Sequence, residues 1–302
     1  MGSVFAAADI GSNTAHVLVA DYDGRNLITL ANENEWIALG ETVSRTGHIP
    51  DRQQQLLVST IARFKTLATQ RGARSMYVFA TEAMRVADNH EQVKDRIWDA
   101  TKVEIDIIEP AREAELSLIG TSLDTYLKDV QMLFEVGGGS AQIAQVSGSK
   151  IGQEVSLPLG TGRLIVKAAL RNPCPVSAWL AAEDTIDETL RSSDLDLPAK
   201  VAVASGGVVR GLWRALHPDG EKTLSLEELD YIAWAAGHLP IDAIMRRFSV
   251  KQKRGSTLLP GALVYRALLR RHNVQELRIS EYGIREGAVL QMANRLVTGS
   301  PF

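Results

Sequence analysis

The 302-residue sequence predicts an α/β protein of two lobes, each a β-meander followed by alternating helices and strands. Three observations predict it. Strand-like and helix-like patterns alternate along the chain, a glycine-rich turn preceded by an acidic residue occurs twice, and the flanking strands match position by position. With "DIGSNTAHVLVA" from Asp9 laid over "EVGGGSAQIAQV" from Glu135, acid meets acid, Ile10 meets Val136, Gly11 meets Gly137, Thr14 meets Ser140 and Ala15 meets Ala141. Both copies continue into a strand, another turn and a third strand. Such a duplication can be one sheet twice over or two lobes facing each other across a cleft. The repeat argues for two lobes, residues 1–125 and 126–302, with the boundary in "LDTYLKDV" and no low-complexity linker.

The elements follow in order. "VFAAADIGSNTAHVLVADYDGRNLITLANENEWIALG" reads as strand, tight glycine turn, strand, "DG" turn and strand, because apolar positions alternate and turn residues stand at 11–13 and 23–24. From Asp51, "DRQQQLLVSTIARFKTLATQRG" places Leu57, Ile61, Phe64 and Ala68 on one helical face, with Asp51 as the cap and Gly72 as the stop. "SMYVFATEAMR" is a buried strand entering a turn or helix start. A helix through residues 90–100, a strand at "VEIDIIEP" and a helix from Arg112 to Ser122 complete the first half. Later, "AKVAVASGGVVRGLWRAL" reads as a buried strand, a glycine pair and a helix. "LSLEELDYIAWAAGHL" and "LPGALVYRALLRRHN" have helical apolar spacing, and "ELRISEYGIREGAVLQMANRLV" reads as strand, loop and final helix.

Composition narrows the function classes. Apolar residues make up 45% and charged residues 23%, ordinary for a soluble globular chain. The formal charge of −3 provides no global basic field for nucleic acid or a membrane surface. The single cysteine, Cys174, cannot form an intramolecular disulfide, and no Cys/His cluster has zinc-ligand spacing. No stretch has the length of a transmembrane helix, and "MGSVFAAADIGSN" lacks a basic n-region and a cleavage pattern, so a cytoplasmic protein is expected. The opening Met1-Gly2 carries no weight as an acylation signal.

Three glycine turns are candidates for phosphate binding, because bare backbone lets N–H groups approach phosphate oxygens. They are Gly11-Ser12-Asn13-Thr14, Gly137-Gly138-Gly139-Ser140 and Ser205-Gly206-Gly207. Each alone is weak evidence, since such a turn is more often a plain hairpin or bulge. None fits the G-K-[ST] loop or G-x-G-x-x-G. Two at equivalent repeat positions, each with a carboxylate two residues before its first glycine, are harder to dismiss. Asp9 and Glu135 can hold a hard cation such as Mg²⁺ between the loops; the bland alternative is that both acids cap turns. Arg85, just past a buried strand, can clamp phosphate with its planar fork, although a lone arginine is more often a surface residue. Glu113, in the first turn of a helix, suits the helix dipole or can act as general base for an attacking water. Glu115 is the competing acid.

Eight stretches in order carry a specific resemblance: "AAADIGSNTAHVLVA", "TEAMRVADN", "EAELSLIG", "EVGGGSAQ", "SLPLGTGRL", "ASGGVVRGL", "RGSTLLPGA" and "YGIREGAVL". Together, across nearly the whole chain, they resemble the exopolyphosphatase / guanosine pentaphosphate phosphohydrolase family. That family is grouped with actin, hexokinase and the heat-shock chaperone ATPases. The resemblance implies ribonuclease-H-like (actin-like ATPase) lobes, each a mixed sheet flanked by helices, with the active site in the interlobe cleft. By the same resemblance, Asp9, Gly11, Ser12 and Asn13 form the first phosphate loop and Gly137, Gly138, Gly139 and Ser140 the second. Gly206 and Gly207 match a third loop, Arg85 the phosphate-binding arginine and Glu113 the catalytic base. Dimers are common among relatives, so a homodimer is implied without any independent signal in this sequence.

Four positions depart from the family pattern. Glu135 replaces an aspartate, Arg112 the first glutamate of an "E-E-A" motif, Gln142 a glutamate and Ser256 an aspartate. The changes remove negative charge, which either helps an anionic substrate bind or weakens metal use. The expected reaction is Mg²⁺-assisted hydrolysis of a terminal phosphoanhydride, with short inorganic polyphosphate favoured because the extra C-terminal helical domains of long-chain enzymes are not seen. The alternatives are guanosine pentaphosphate (pppGpp) hydrolysis and a catalytically weak phosphate or nucleotide sensor. A kinase is disfavoured because no segment supplies an adenosine pocket. The basic run "RRFSVKQKR" at 246–254 is either a steering patch for a polyanion or a solvated surface.

Overall fold

A computed structural model describes residues 3–298, with side chains through residue 295. The Met1-Gly2 opening lies outside the described residues. The chain divides into two compact units. One runs to Leu123 and resumes at Tyr282; the other spans Asp124 to Glu281.

In the first unit, alternating apolar residues build β1 (Ser3–Ile10), β2 (Thr14–Tyr22) and β3 (Leu27–Trp36), an antiparallel meander. β4 (Met76–Ala80) and β5 (Asp106–Ile107) add in parallel, giving the order β3-β2-β1-β4-β5. The helices are α1 (Leu39–Thr46), α2 (Asp51–Gln70), α3 (Glu82–Arg85), α4 (His90–Thr101) and α5 (Pro110–Thr121). The period-2 alternation of β1 feeds two cores. Ala6, Ala8 and Ile10 pack with Leu57, Ile61, Phe64 and Ala68 of α2 and with Val93 and Ile97 of α4, while Phe5 and Ala7 join Leu116 of α5 in the other core. Two local expectations shift. Pro50 takes the α2 cap position and Asp51 becomes its first residue, paired with Arg96 at 2.5 Å. The expected strand "VEIDIIEP" contracts to two paired residues at the sheet edge.

The second unit repeats the plan. β6 (Met132–Val136), β7 (Ala141–Ser147) and β8 (Lys150–Leu157) form its meander, with β9 (Val201–Ser205) parallel to β6. β10 (Thr223–Leu224) and β11 (Glu276–Ile279) complete the order β10-β11-β9-β6-β7-β8. Strands β8-β7-β6-β9-β11 therefore reproduce β3-β2-β1-β4-β5 in order and direction. The duplication makes two sheets, not one continuous sheet. The helices are α6 (Thr161–Lys167), α7 (Val176–Arg191), α8 (Gly207–Leu216), α9 (Leu226–His238), α10 (Ile241–Phe248) and α11 (Gln252–Arg271). Their core surrounds the fully buried Tyr265. A reciprocal Ser225–Glu228 capping box starts α9.

The expected division at 125/126 needs correction for the end of the chain. α12 (Ile284–Thr298) belongs to the first unit, where Ile284, Ala288, Val289 and Ala293 close the core of Phe5, Ala7, Leu18, Ala20 and Phe79. The physical reason is close packing against α5. A Cβ on Gly287 would lie 1.8 Å from the carbonyl oxygen of Leu116, and one on Gly120 would lie 2.0 Å from that of Gly283. Only glycine admits that approach.

Candidate active site

In the first unit, the carboxyl ends of β1, β4 and β5 gather the candidate residues along one sheet edge, the usual ligand side of parallel strands. Asp9 is half-buried and stands in register with His16 on β2 and Phe79 on β4. The turn beyond it closes through the Gly11 amide, which donates to the Thr14 carbonyl at 3.0 Å. The next carbonyls are held from behind. Ser12 O accepts from the Gly40 amide at 2.6 Å, and Asn13 O accepts from Ile37 and Ala38, each at 2.9 Å. Ser12 Oγ donates to Glu82 Oε2 at 3.2 Å, and Thr14 Oγ1 lies 2.8 Å from His16 Nε2.

Arg85 ends the short α3, and its Nη1 donates to the Ile108 carbonyl at 2.6 Å. That bond ties the guanidinium to the segment that leads into α5, where Glu113 occupies the first turn. The two acids of α5 differ in setting. Glu115 is exposed and pairs with Arg112 at 3.0 Å, whereas Glu113 is half-buried. Arg112 also donates to Gln291 of α12, so the arginine at the departed position serves the α5–α12 contact.

The second unit places Glu135 in the same register, between Gln142 on β7 and Ser205 on β9. The Gly137 amide donates to the Ser140 carbonyl at 2.9 Å, as Gly11 does to Thr14. Here too the carbonyls are held from behind, by the start of α6. Gly137 O accepts from the Thr161 amide at 2.9 Å, Gly138 O from Gly162 at 2.9 Å and Arg163 at 3.1 Å, and Gly139 O from Arg163 Nε at 3.0 Å. Among the described residues, no acceptor meets the amides of Ser12, Asn13, Gly138, Gly139 or Ser140. Each unit thus presents outward-facing donors on a turn whose carbonyls are tied down, which is the arrangement an oxyanion requires.

The third turn sits beside the second. Gly206 has φ +94°, and a Cβ there would lie 3.3 Å from Glu135 Oε1, so the glycine keeps the space over that carboxylate open. Gly207 starts α8, and its carbonyl accepts from Arg254 Nη1 at 2.5 Å. Burial, then the neighbouring cations Arg210 and Arg214, press the Arg254 guanidinium below the ordinary arginine value. The expected basic run 246–254 is therefore not a continuous surface strip. Arg254 is tucked against α8, Phe248 is buried, and Arg247 lies over Tyr231 with its Nε 2.8 Å from the hydroxyl. Ser256, where an aspartate was expected, lines an open cavity of about 650 Å³ with Lys251 and Lys253.

Sequence reading missed the residues that back the turns. A Cβ on Gly40 would meet Ser12 Cβ at 2.7 Å, and one on Gly160 would meet the backbone of Gly138 and Gly139 at 2.3–2.4 Å. Both follow a leucine and stand just past the third meander strand, in "IALG" and "LPLG". Aligning those two stretches across the six-residue length difference between the meanders would have found them. Glu82 lies inside "TEAMRVADN", where Arg85 stands out and no local pattern singles out the acid.

No group of three or more His, Cys, Asp or Glu among the described residues forms a metal cluster. Mg²⁺, however, is ordinarily held by one or two carboxylates, with water and substrate phosphate completing its shell. Asp9 in one unit and Glu135 in the other each offer one hard oxygen donor beside a bare turn. Each carboxylate by itself is a hard oxygen donor of the kind such a cation takes.

Two mixed sheets of matching topology, each with a turn of tied-down carbonyls at the same ladder position, define a duplicated α/β protein. Residues 18–296 match the Ppx/GppA phosphatase family, and the chain belongs to that family. It is 28% identical to exopolyphosphatase 1 of Mycobacterium tuberculosis over 97% of this chain and 89% of that one. It is 25% identical to exopolyphosphatase 1 of Mycobacterium leprae, over 97% and 90%. Among solved structures, an exopolyphosphatase from Cytophaga hutchinsonii superposes with a TM-score of 0.85 at 20% identity, covering 97% of this chain and 98% of that one. The Aquifex aeolicus Ppx/GppA family member gives 0.84 at 20% identity, with both chains fully covered. These two likenesses establish the fold. No described helix is long and apolar enough to cross a membrane.

Proposed function

We propose that this chain releases the terminal phosphate of inorganic polyphosphate by in-line attack of water. The observation that carries the reading is the pair of turns whose amides meet no acceptor among the described residues while their carbonyls are tied from behind. Phosphoryl transfer asks the protein chiefly for positioning and charge neutralisation. The amides of Ser12, Asn13, Gly138, Gly139 and Ser140 bind phosphate oxygens, and Arg85, held by Ile108, adds a guanidinium. Glu113 orients the attacking water and accepts its proton. Asp9 in the first unit and Glu135 in the second are the carboxylates available to Mg²⁺, an ion that when bound neutralises charge on phosphate oxygens. The names of the mycobacterial relatives support the choice of polyphosphate.

Phosphate release from short polyphosphate, long polyphosphate and guanosine pentaphosphate, with Mg²⁺ and with chelator, tests the reading. Release from polyphosphate that stops with chelator is expected. Release from guanosine pentaphosphate alone transfers the activity to that substrate. Absence of release from all three overturns the enzyme reading in favour of a binding protein.

A further inference from the structure

We propose that Ser205 is an additional binding residue of the second unit, one that holds the hydration shell of a divalent cation seated at Glu135. The proposal rests on the reading of Glu135 as a cation ligand. Ser205 ends β9, is fully buried, and its Oγ has no hydrogen-bond partner among the described residues. Buried hydroxyls are ordinarily satisfied, and an unsatisfied one marks a place for a water, an ion or a ligand. The register states which. Ser205 pairs with Glu135 across parallel strands, so the two side chains share one face of the sheet on strands about 4.8 Å apart. The next residue, Gly206, lacks the Cβ that would press on the Glu135 carboxylate. The pair thus sits directly before the third turn.

A hydroxyl beside a carboxylate suits a hydrated cation. A water bound to Mg²⁺ or Mn²⁺ donates strongly, and Ser205 Oγ can accept from it while Glu135 supplies the charge. The first unit has no such device: the matched neighbour of Asp9 is Phe79, a buried aromatic. Outer-shell partners of this kind typically change metal affinity by about 10- to 100-fold.

The test uses the full-length chain and Mn²⁺, alone and with methylenediphosphonate, read by electron paramagnetic resonance, with thermal unfolding in parallel. Ser205→Ala is expected to weaken Mn²⁺ binding by about tenfold, while its metal-free Tm stays the same or rises because an unsatisfied hydroxyl has been removed. Ser205→Thr, which restores the hydroxyl, should return affinity toward wild type. If Glu135→Gln loses Mn²⁺ binding and Ser205→Ala does not, Ser205 has no such role and the cation reading stands. If neither variant changes Mn²⁺ binding, or wild type binds none, the cation reading of Glu135 falls and takes this inference with it. A metal-free Tm that falls in Ser205→Ala without rescue by Thr would make the residue structural only.

Discussion

The two units share a ladder but not its chemistry. At three matched positions across the sheet, the first unit carries His16, Asp9 and Phe79, and the second carries Gln142, Glu135 and Ser205. Backbone bonding at the turns is alike, down to the amide–carbonyl closures of Gly11 with Thr14 and Gly137 with Ser140. What backs the turns differs. The first is held by the α1 start and by Glu82, the second by α6 and an arginine. The acid proposed as base, and the guanidinium tied near it, occur in the first unit alone. The two units share the turn backbone, which depends on turn geometry, and differ in the side chains around it.

Four substitutions break or sharpen that comparison, from the largest effect to the smallest. If chemistry resides in the first unit, Glu113→Gln should lower kcat for phosphate release by about 10²–10⁴-fold, roughly 3–5.5 kcal/mol, with KM little changed. Activity equal to wild type would remove Glu113 from its role, and Glu115→Gln serves as the exposed control. Next is Gly287→Ala, which drives a Cβ into the Leu116 carbonyl at 1.8 Å. The cost should meet or exceed the ~1–3 kcal/mol of ordinary overpacking, a Tm loss of at least about 2–5 °C in a thermal melt. A Tm at the wild-type value would deny that α5 and α12 are locked together.

The third compares Gly40→Ala with Gly160→Ala. The new Cβ meets a side-chain carbon at 2.7 Å in one and peptide backbone at 2.3–2.4 Å in the other. Both should destabilise by about 1–3 kcal/mol, Gly160→Ala the more, and it should also raise KM by displacing the glycine triplet. Equal effects would mean that the second turn is as yielding as the first. The smallest effect concerns pH. His272 is fully buried in the second unit, with Nδ1 2.8 Å from the Leu197 carbonyl, and burial holds its pKa below the usual value. The fold therefore favours neutral imidazole. That stability is complete above the unfolded value of about 6.5 and is lost as pH falls through the lower folded one. Wild-type Tm should fall between pH 7 and pH 5 more steeply than that of His272→Gln, and parallel curves would refute it.

Much of the candidate site was legible because its signals are local. A glycine-rich turn, a carboxylate two residues earlier and a period-2 strand are all set within about ten residues, and the duplication displayed them twice. Gly40 and Gly160 were hidden because a glycine's reason lies in what approaches it, and Ser12 and Gly138 are far away in sequence. Arg254 read as one charge in a surface run because its engagement with Gly207 spans 47 positions. α12 read as part of the second half because its apolar spacing says that it packs, not against which sheet.

The sequence by itself determined the α/β class, the repeat, the paired turns and the acids before them, since backbone sterics and side-chain periodicity act between near neighbours. Tertiary structure alone decided that the chain returns to complete the first unit, that the turn carbonyls are tied down so their amides face outward, and that Ser205 is buried beside Glu135 without a partner. Those outcomes depend on which distant surfaces pack closely, and long-range packing is a property of the whole chain that no short window of residues contains.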